Sequence, residues 1–404
     1  MMFYFLINAP VILSSQTMSK QGNLIKALKL YKKMGLISST FYPSGHAYIA
    51  LLKACIALND IESGKKLHAD ISSTRLLERD AFVGSSLVDM YAKCGSIEKA
   101  QETFDGLPHR DIVSWTALIS GYVRCGHGEV AIMYYEQLQS HGISPNAITH
   151  VCILKACGNT GAIEKGKEIH ALVSKGGFEG DIFIGSTLVD MYAACGSLSE
   201  AKKVFRDLHA RDVVSWTALI GGYLEHGLDE EAIICLDQMQ QEGISPNGIT
   251  FVCSLKACGS IDKGRKLHYE IIKESFERDP FVGNTLIGMY AKCDSLLEAL
   301  EVFHELPVRN VVSWNVAIVA FLNHGRFEEA LNCLEQMELE FISPNVVTYI
   351  CCLKACGNIG AIEKGREVHT KIVKKGFERD NSAWKDLEKL DFDGRGNMLE
   401  EICG

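Results

Sequence analysis

The chain has 404 residues, 47% hydrophobic and 23% charged, and carries a net charge of −9. That composition supports a continuous core and excludes extensive disorder, while the acidic balance argues against strong non-specific attachment to nucleic acid, whose usual mark is a basic face. No stretch reaches the roughly eighteen apolar residues of a membrane span, so no membrane partner is expected.

Residues 1–44 open with an apolar leader, Met1 to Leu13, that lacks the basic flank of a signal peptide and the arginines of a transit peptide. Behind it lies a worn repeat that keeps only Ala27, Leu28, Tyr31 and Met34 of its second half. From residue 45 the chain repeats itself. Asp111-Ile-Val-Ser-Trp115-Thr116 returns as Asp212-Val-Val-Ser-Trp216-Thr217 and as Asn310-Val-Val-Ser-Trp314-Asn315. Periodicity at this scale means stacked units, each touching its neighbours, rather than one globular body with one pocket.

Three kinds of unit alternate. Long units run over 45–80, 147–181, 248–279 and 346–380. Short units run over 81–111, 182–212 and 280–310, and Trp-bearing units over 112–146, 213–247 and 311–345. Ten repeats therefore fill 45–380, and a non-repeat tail fills 381–404. Each unit reads as two helices. In 112–146, Trp115, Leu118, Ile119 and Tyr122 recur at helical spacing, Gly126 and Gly128 interrupt, and Ala131, Ile132, Tyr135 and Leu138 resume. Gly142 fits a left-handed cap and Pro145 cannot continue the helix. Ser197-Leu-Ser-Glu200 and Ser295-Leu-Leu-Glu298 read as capping boxes opening second helices. The unit 248–279 lacks three residues its siblings have after Lys-Ala-Cys-Gly, which predicts a tighter turn between its helices. The expected fold is all-α, an α-solenoid of stacked helix pairs; its right-handed turn is taken from related folds.

One register alternates in polarity. Near each first-helix start stand Ser85, Thr116, Ser186, Thr217, Asn284 and Asn315, whereas the long units place Ile49, Val151, Val252 and Ile350 there. Helix capping is the bland reading of such polar residues; a periodic switch at one site is hard to derive from packing alone. Lys93, Arg124 and Lys292 share a register at first-helix ends, where cations either meet phosphates or complement helix C-termini. Ala194, Glu225 and Asn323 fill it elsewhere, so a shallow salt dependence is expected.

No enzyme is expected, and neither cofactor nor metal. The fifteen cysteines form no Cys-x-x-Cys and read as small packing residues with reduced thiols. His68, His170, His268 and His369 recur once per long unit, too far apart for one cluster, and read as packing or inter-helix hydrogen-bonding groups. The tail Asp391 to Glu401 is one residue short of a calcium-binding loop and has Arg395 where an oxygen ligand belongs.

The phrases Val-Val-Ser-Trp-Thr-Ala-Leu-Ile, Leu-Lys-Ala-Cys-Gly, Gly-Lys-Glu-Ile-His and Leu-Val-Asp-Met-Tyr-Ala-Lys-Cys-Gly-Ser-Ile-Glu-Lys-Ala resemble pentatricopeptide repeats, in the plant-type organellar subclass that alternates P, L and S motifs. The resemblance spans roughly residues 20–380. It implies a monomeric binder of single-stranded RNA, not DNA, in a mitochondrion or chloroplast. It implies a role in RNA editing or processing through a deaminase or other RNA-processing protein supplied in trans, or in protecting a transcript. Relatives of this subclass often end in a deaminase domain; the zinc-holding Pro-Cys-x-x-Cys such a domain needs is absent from this chain.

The resemblance also implies a readout. The fifth and last residues of a unit meet the base edge and the second residue stacks on the base. Ser85 with Asp111 and Ser186 with Asp212 would read G. Thr116 with Asn146 and Thr217 with Asn247 would read A. Asn284 with Asn310 and Asn315 with Asn345 would read a pyrimidine, leaning to C. Val151 with Asp181 and Val252 with Asp279 would read weakly. Phe82, Val113, Phe183, Val214, Phe281 and Val312 would stack. The implied target is G-A-x-G-A-x-Y-Y. A carboxylate only accepts hydrogen bonds, which suits guanine N–H groups, and an amide both donates and accepts. The competing reading is a protein-binding scaffold of the tetratricopeptide type.

Overall fold

The computed structural model describes residues 25–29, 31, 43–178 and 180–376. Most of the leader and worn repeat of 1–44, and the whole tail 381–404 with Asp391 to Glu401, lie outside them. Among the described residues the regular elements are all helices.

The chain divides into two compact units, Met1–Arg211 and Asp212–Gly404. In the first, α1 (Gly45–Leu58) and α2 (Ile61–Ser73) form a long repeat, and a single turn, α3 (Leu76–Arg79), follows. A short repeat, α4 (Ala81–Lys93) and α5 (Ile97–Asp105), precedes a Trp-bearing one, α6 (Ile112–Arg124) and α7 (Gly128–Ser140). Then come a long repeat, α8 (Ala147–Thr160) and α9 (Ile163–Lys175), and a short one, α10 (Ile182–Ala194) and α11 (Leu198–Asp207). The second unit holds a Trp-bearing repeat, α12 (Val213–Glu225) and α13 (Asp229–Gln241), a long one, α14 (Gly248–Lys256) and α15 (Ile261–Lys273), and a short one, α16 (Pro280–Lys292) and α17 (Leu296–Glu305). It closes with α18 (Val311–Asn323) and α19 (Phe327–Leu339), then α20 (Val346–Ile359) and α21 (Ile362–Lys374).

Within each unit the first helices of successive repeats pack side by side, and each second helix packs on its own first helix and the next one. The sequences match those duties. First helices are covered on several sides, and α10 buries Ile184, Leu188, Val189, Met191 and Tyr192. Second helices carry a narrow stripe, and α11 buries only Ala201 and Phe205. Trp115, Trp216 and Trp314 sit in the core at 1%, 2% and 5% exposure. Helices of thirteen residues are marginal alone; here the neighbouring repeat covers their apolar face.

First helices begin where an Asp, Asn or Ser side chain accepts backbone N–H groups that would otherwise go unpaired. Asp111 accepts from Ser114 N–H at 2.8 Å, and Asn146, Asp212, Asn247, Asn310 and Asn345 each close a full capping box. The boxes expected at Ser197 and Ser295 do not form. Neither side chain caps its helix, and Ser295 Oγ instead donates to Glu298. Those serines sit at φ −92° and −118° with ψ 61° and 74°, close to the φ −96°, ψ 79° at which Asp60 does cap α2 by accepting Ser63 N–H at 3.0 Å.

The three-residue deletion also acts differently from expectation. It does not tighten the hairpin. Helix α14 has 9 residues where α8 and α20 have 14, so the loss falls on the helix's last turn, and Ser260 then caps α15 by accepting Lys263 N–H. Gly142 and Gly243 take the left-handed conformation after α7 and α13 at φ 71° and 75°. Phe341 occupies the matching place after α19 at φ 58° and is 97% exposed.

Candidate nucleic-acid interface

Within each unit the fifth, last and second residues lie at seams between adjacent first helices, and the seams are built in different ways. Between α4 and α6 the contact is direct: Ser85 Oγ donates to Asp111 Oδ1 at 2.9 Å, or to its own helix at Ala81 O, also 2.9 Å. The same Asp111 oxygen caps α6, so Oδ1 is engaged by both helices. Between α6 and α8 the contact is relayed. Thr116 Oγ1 lies 2.8 Å from Thr149 Oγ1, which lies 3.0 Å from Asn146 Oδ1. In the second unit, Thr217, Thr250 and Asn247 repeat the relay at 2.7 and 3.0 Å. Asn315 joins Asn345 both directly, at 3.1 Å, and through Thr348, at 2.6 and 3.0 Å.

The fifth residues are more recessed than their polarity suggests. Ser85, Thr116, Ser186, Asn284 and Asn315 are buried and Thr217 is half-buried, whereas their apolar counterparts Ile49, Val151, Val252 and Ile350 are all half-buried. Burial at a helix seam weighs against wide contact between a base and Thr116 or Ser186. It shifts the accessible polar surface onto the last residues: Asp111, Asn146, Asp212, Asn247 and Asn345 are half-buried and Asn310 is exposed.

The second residues stand clear of the core. Phe82, Val113, Phe183, Val214, Phe281 and Val312 are 48–79% exposed. The sequence reading omitted three more at this register, Ile148, Ile249 and Val347, which are 50–65% exposed in the long repeats. An exposed apolar residue two places after a capping Asp or Asn was the available signal. The relay threonines Thr149, Thr250 and Thr348 were also missed, although Asn-x-x-Thr at 146–149, 247–250 and 345–348 spells them out.

One seam opens into a groove. Between α14, α16 and α18, Phe281, Asn284, Asn310, Val312, Lys256 and Lys292 line a cavity of ≈ 580 Å³. That volume lies within the ~300–1,000 Å³ of small-ligand sites. Asn284 Oδ1 is buried there without a hydrogen-bond partner. Such an atom costs about 1–3 kcal/mol unless something satisfies it.

The expected cations divide. Lys292 lines the groove. Lys93 is paired with Asp89 at 2.8 Å, and Arg124 donates to Lys93 O at 3.3 Å, so it completes the C-terminal end of α4. The recurrent histidines bridge helices: His68, His170 and His268 Nδ1 lie 3.1, 2.9 and 2.9 Å from the hydroxyls of Tyr91, Tyr192 and Tyr290. Burial lowers the His68 and His268 pKa values. The Lys-Ala-Cys-Gly cysteines Cys157, Cys258 and Cys356 are fully buried, and burial raises the pKa of Cys157 to about 11. Among the described residues no group of His, Cys, Asp and Glu is arranged to hold a metal ion.

Comparison with known proteins finds repeats in the same part of the chain. Two descriptions of the PPR repeat match residues 110–159, 211–260 and 309–358, and 85–112, 186–213 and 284–311, together more than half of the chain. A chloroplastic pentatricopeptide repeat-containing protein of Arabidopsis thaliana is 38% identical over 84% of this chain and 55% of its own length. A mitochondrial one from the same plant is 35% identical over 78% of this chain and 50% of its own. The chain thus spans about half the length of these relatives. The solved structure of the pentatricopeptide repeat protein PPR10 bound to an 18-nucleotide psaJ RNA element matches with a TM-score of 0.58 and 18% identity, over 87% of this chain and 59% of that one. Maize PPR10 alone matches with a TM-score of 0.52 and 19% identity over 96% of this chain and 63% of that one. Fold, repeat order and sequence agree: this chain belongs to the pentatricopeptide repeat family.

Proposed function

We propose that this chain is a sequence-selective binder of single-stranded RNA. The observation that carries the reading is the groove between α14 and α18. There the exposed ring of Phe281, the unsatisfied buried oxygen of Asn284 and a second asparagine, Asn310, all at base-contact registers, converge with Lys256 and Lys292. Unstacked bases offer a π-face to Phe281 and a hydrogen-bonding edge to Asn284 and Asn310, the mode by which helical repeats take one base each. The RNA held by the structurally similar PPR10 supports the same reading. The order of long, short and Trp-bearing repeats supports placing the chain in the subclass with alternating P, L and S motifs. The names of the relatives support a chloroplast or mitochondrion as its location. Within that setting it guides editing or processing by a separate enzyme, or shields a transcript.

The test is binding to an RNA containing G-A-x-G-A-x-Y-Y and to shuffled controls at two salt concentrations. The expected outcome is at least about tenfold tighter binding to the target, with a shallow salt slope. Equal affinity for both overturns the readout. The scaffold reading draws on the net charge of −9 and on the pairing of Lys93 with Asp89. Protein partners captured after nuclease treatment, with no RNA preference, would favour it.

A further inference from the structure

At the three seams where a Trp-bearing repeat meets a long one, the geometry fixes which atom of the last residue faces outward. A backbone N–H can only donate. Asn146, Asn247 and Asn345 Oδ1 accept the N–H of Thr149, Thr250 and Thr348 at 2.9, 2.9 and 3.0 Å, so each amide turns its oxygen to the helix and its NH2 away. The threonine hydroxyl engages the same oxygen at 3.0 Å in all three and accepts the asparagine's own backbone N–H at 3.3, 3.3 and 3.2 Å.

That hydroxyl has one hydrogen. When Thr149 gives it to Asn146, the 2.8 Å contact requires Thr116 to donate to Thr149. Thr217 has two inward acceptors, Thr250 Oγ1 at 2.7 Å and Val213 O at 2.6 Å. In either arrangement the Thr217 hydrogen points into the protein and its lone pairs remain. The seam therefore presents a donor from the last residue and an acceptor from the fifth. The Ser85–Asp111 seam, by contrast, presents acceptors on both sides, because its carboxylate cannot donate.

Resting on the RNA-binding reading above, we propose that Thr149, Thr250 and Thr348, the third residues of the long repeats, are positioning residues that set the hydrogen-bond polarity of the preceding base site. Their side chains do not touch the base. Their backbone N–H groups hold the asparagine NH2 outward, and the Thr149 hydroxyl commits the Thr116 hydrogen inward, as Thr250 or Val213 O does for Thr217. Adenine, with an acceptor at N1 and a donor at N6, matches this polarity. Guanine, with a donor at N1 and an acceptor at O6, opposes it. The long repeats, apolar at their own fifth position, thus contribute to specificity through the neighbouring repeat.

The experiment compares wild type with Thr149→Val, Thr149→Ser and Thr116→Val. Binding is measured to the target RNA carrying A or G opposite Asn146, with A or G opposite Asp111 as an internal control. Wild type is expected to favour A opposite Asn146 by about tenfold, falling to about twofold in Thr149→Val and Thr116→Val, the effect of one lost hydrogen bond. Thr149→Ser keeps the wild-type ratio, and the ratio opposite Asp111 is unchanged in every variant. A merely structural cap would weaken both positions alike, and Thr116→Val leaves the cap intact should Thr149→Val fold poorly. An unchanged A-to-G ratio in Thr149→Val and Thr116→Val overturns the relay while leaving RNA binding in place. A wild-type chain that binds no RNA overturns both.

Discussion

Asn284 with Asn310, and Asn315 with Asn345, are the same pair of side chains at the same register in one compact unit, yet they are wired differently. Asn315 gives a hydrogen to Asn345 and receives one from Thr348, closing a three-residue network. Asn284 lines a groove and keeps a buried oxygen with no hydrogen-bond partner. The difference comes from the next repeat. The long repeat after Asn345 brings a threonine at its third position; the Trp-bearing repeat after Asn310 brings Ser313, whose hydroxyl reaches only its own cap at 3.3 Å. The pair of residue types at a base site therefore does not define its chemistry until the following helix is known.

Replacement by an isosteric apolar group should separate the two seams most clearly. Asn315→Leu removes the hydrogen bonds that Asn315 makes with Thr348 and Asn345, so a loss of about 1–3 kcal/mol is expected in urea denaturation. Asn284→Leu removes an atom that is already unsatisfied and should cost less than about 1 kcal/mol, while weakening binding to the matched RNA. Equal stability losses would erase the distinction. Phe281→Ala sharpens it from the other side. The ring is 79% exposed, so stability should move by less than about 0.5 kcal/mol, while RNA affinity falls by about 1–3 kcal/mol from lost stacking.

His68 and His268 give the seams between long and short repeats a pH signature. Burial holds the His68 and His268 pKa values below 6.5 in the folded chain. The unfolded chain then binds more protons, so this contribution is complete above about pH 6.5 and is lost as pH falls toward the folded value. His268→Gln should flatten the thermal midpoint between pH 7 and pH 5.5 relative to wild type, and an unchanged slope would remove His268 from the account. The smallest effect is expected from the cations. Lys292→Ala should reduce the salt slope of RNA binding by up to about 0.7. Lys93→Ala should leave it nearly unchanged, because Lys93 is held by Asp89.

The two-helix units and the buried Trp row were legible in the chain because both depend on local spacing: 3.6-residue periodicity, a capping Asp or Asn, a glycine after the helix. The site was half legible. Register identified Phe281 and Asn284, and it located Thr116 with Asn146, but it could not reveal that Thr149 stands between them. Ser197 and Ser295 show the same limit from the other direction, since their spacing spells a capping box that the folded chain does not form. The deletion in 248–279 could equally have shortened a turn or a helix, and in the folded chain it is α14 that is short.

Sequence alone determined that this protein is a stack of helix pairs, which residues form its core, and at which register polar and apolar side chains alternate, because helix formation and burial follow from neighbours along the chain. Tertiary structure alone decided how deeply the polar residues sit and which of their hydrogens are already spent. Those properties arise where the side chains of two successive helices converge, across roughly thirty residues of sequence, and a single hydroxyl there has only one hydrogen to give.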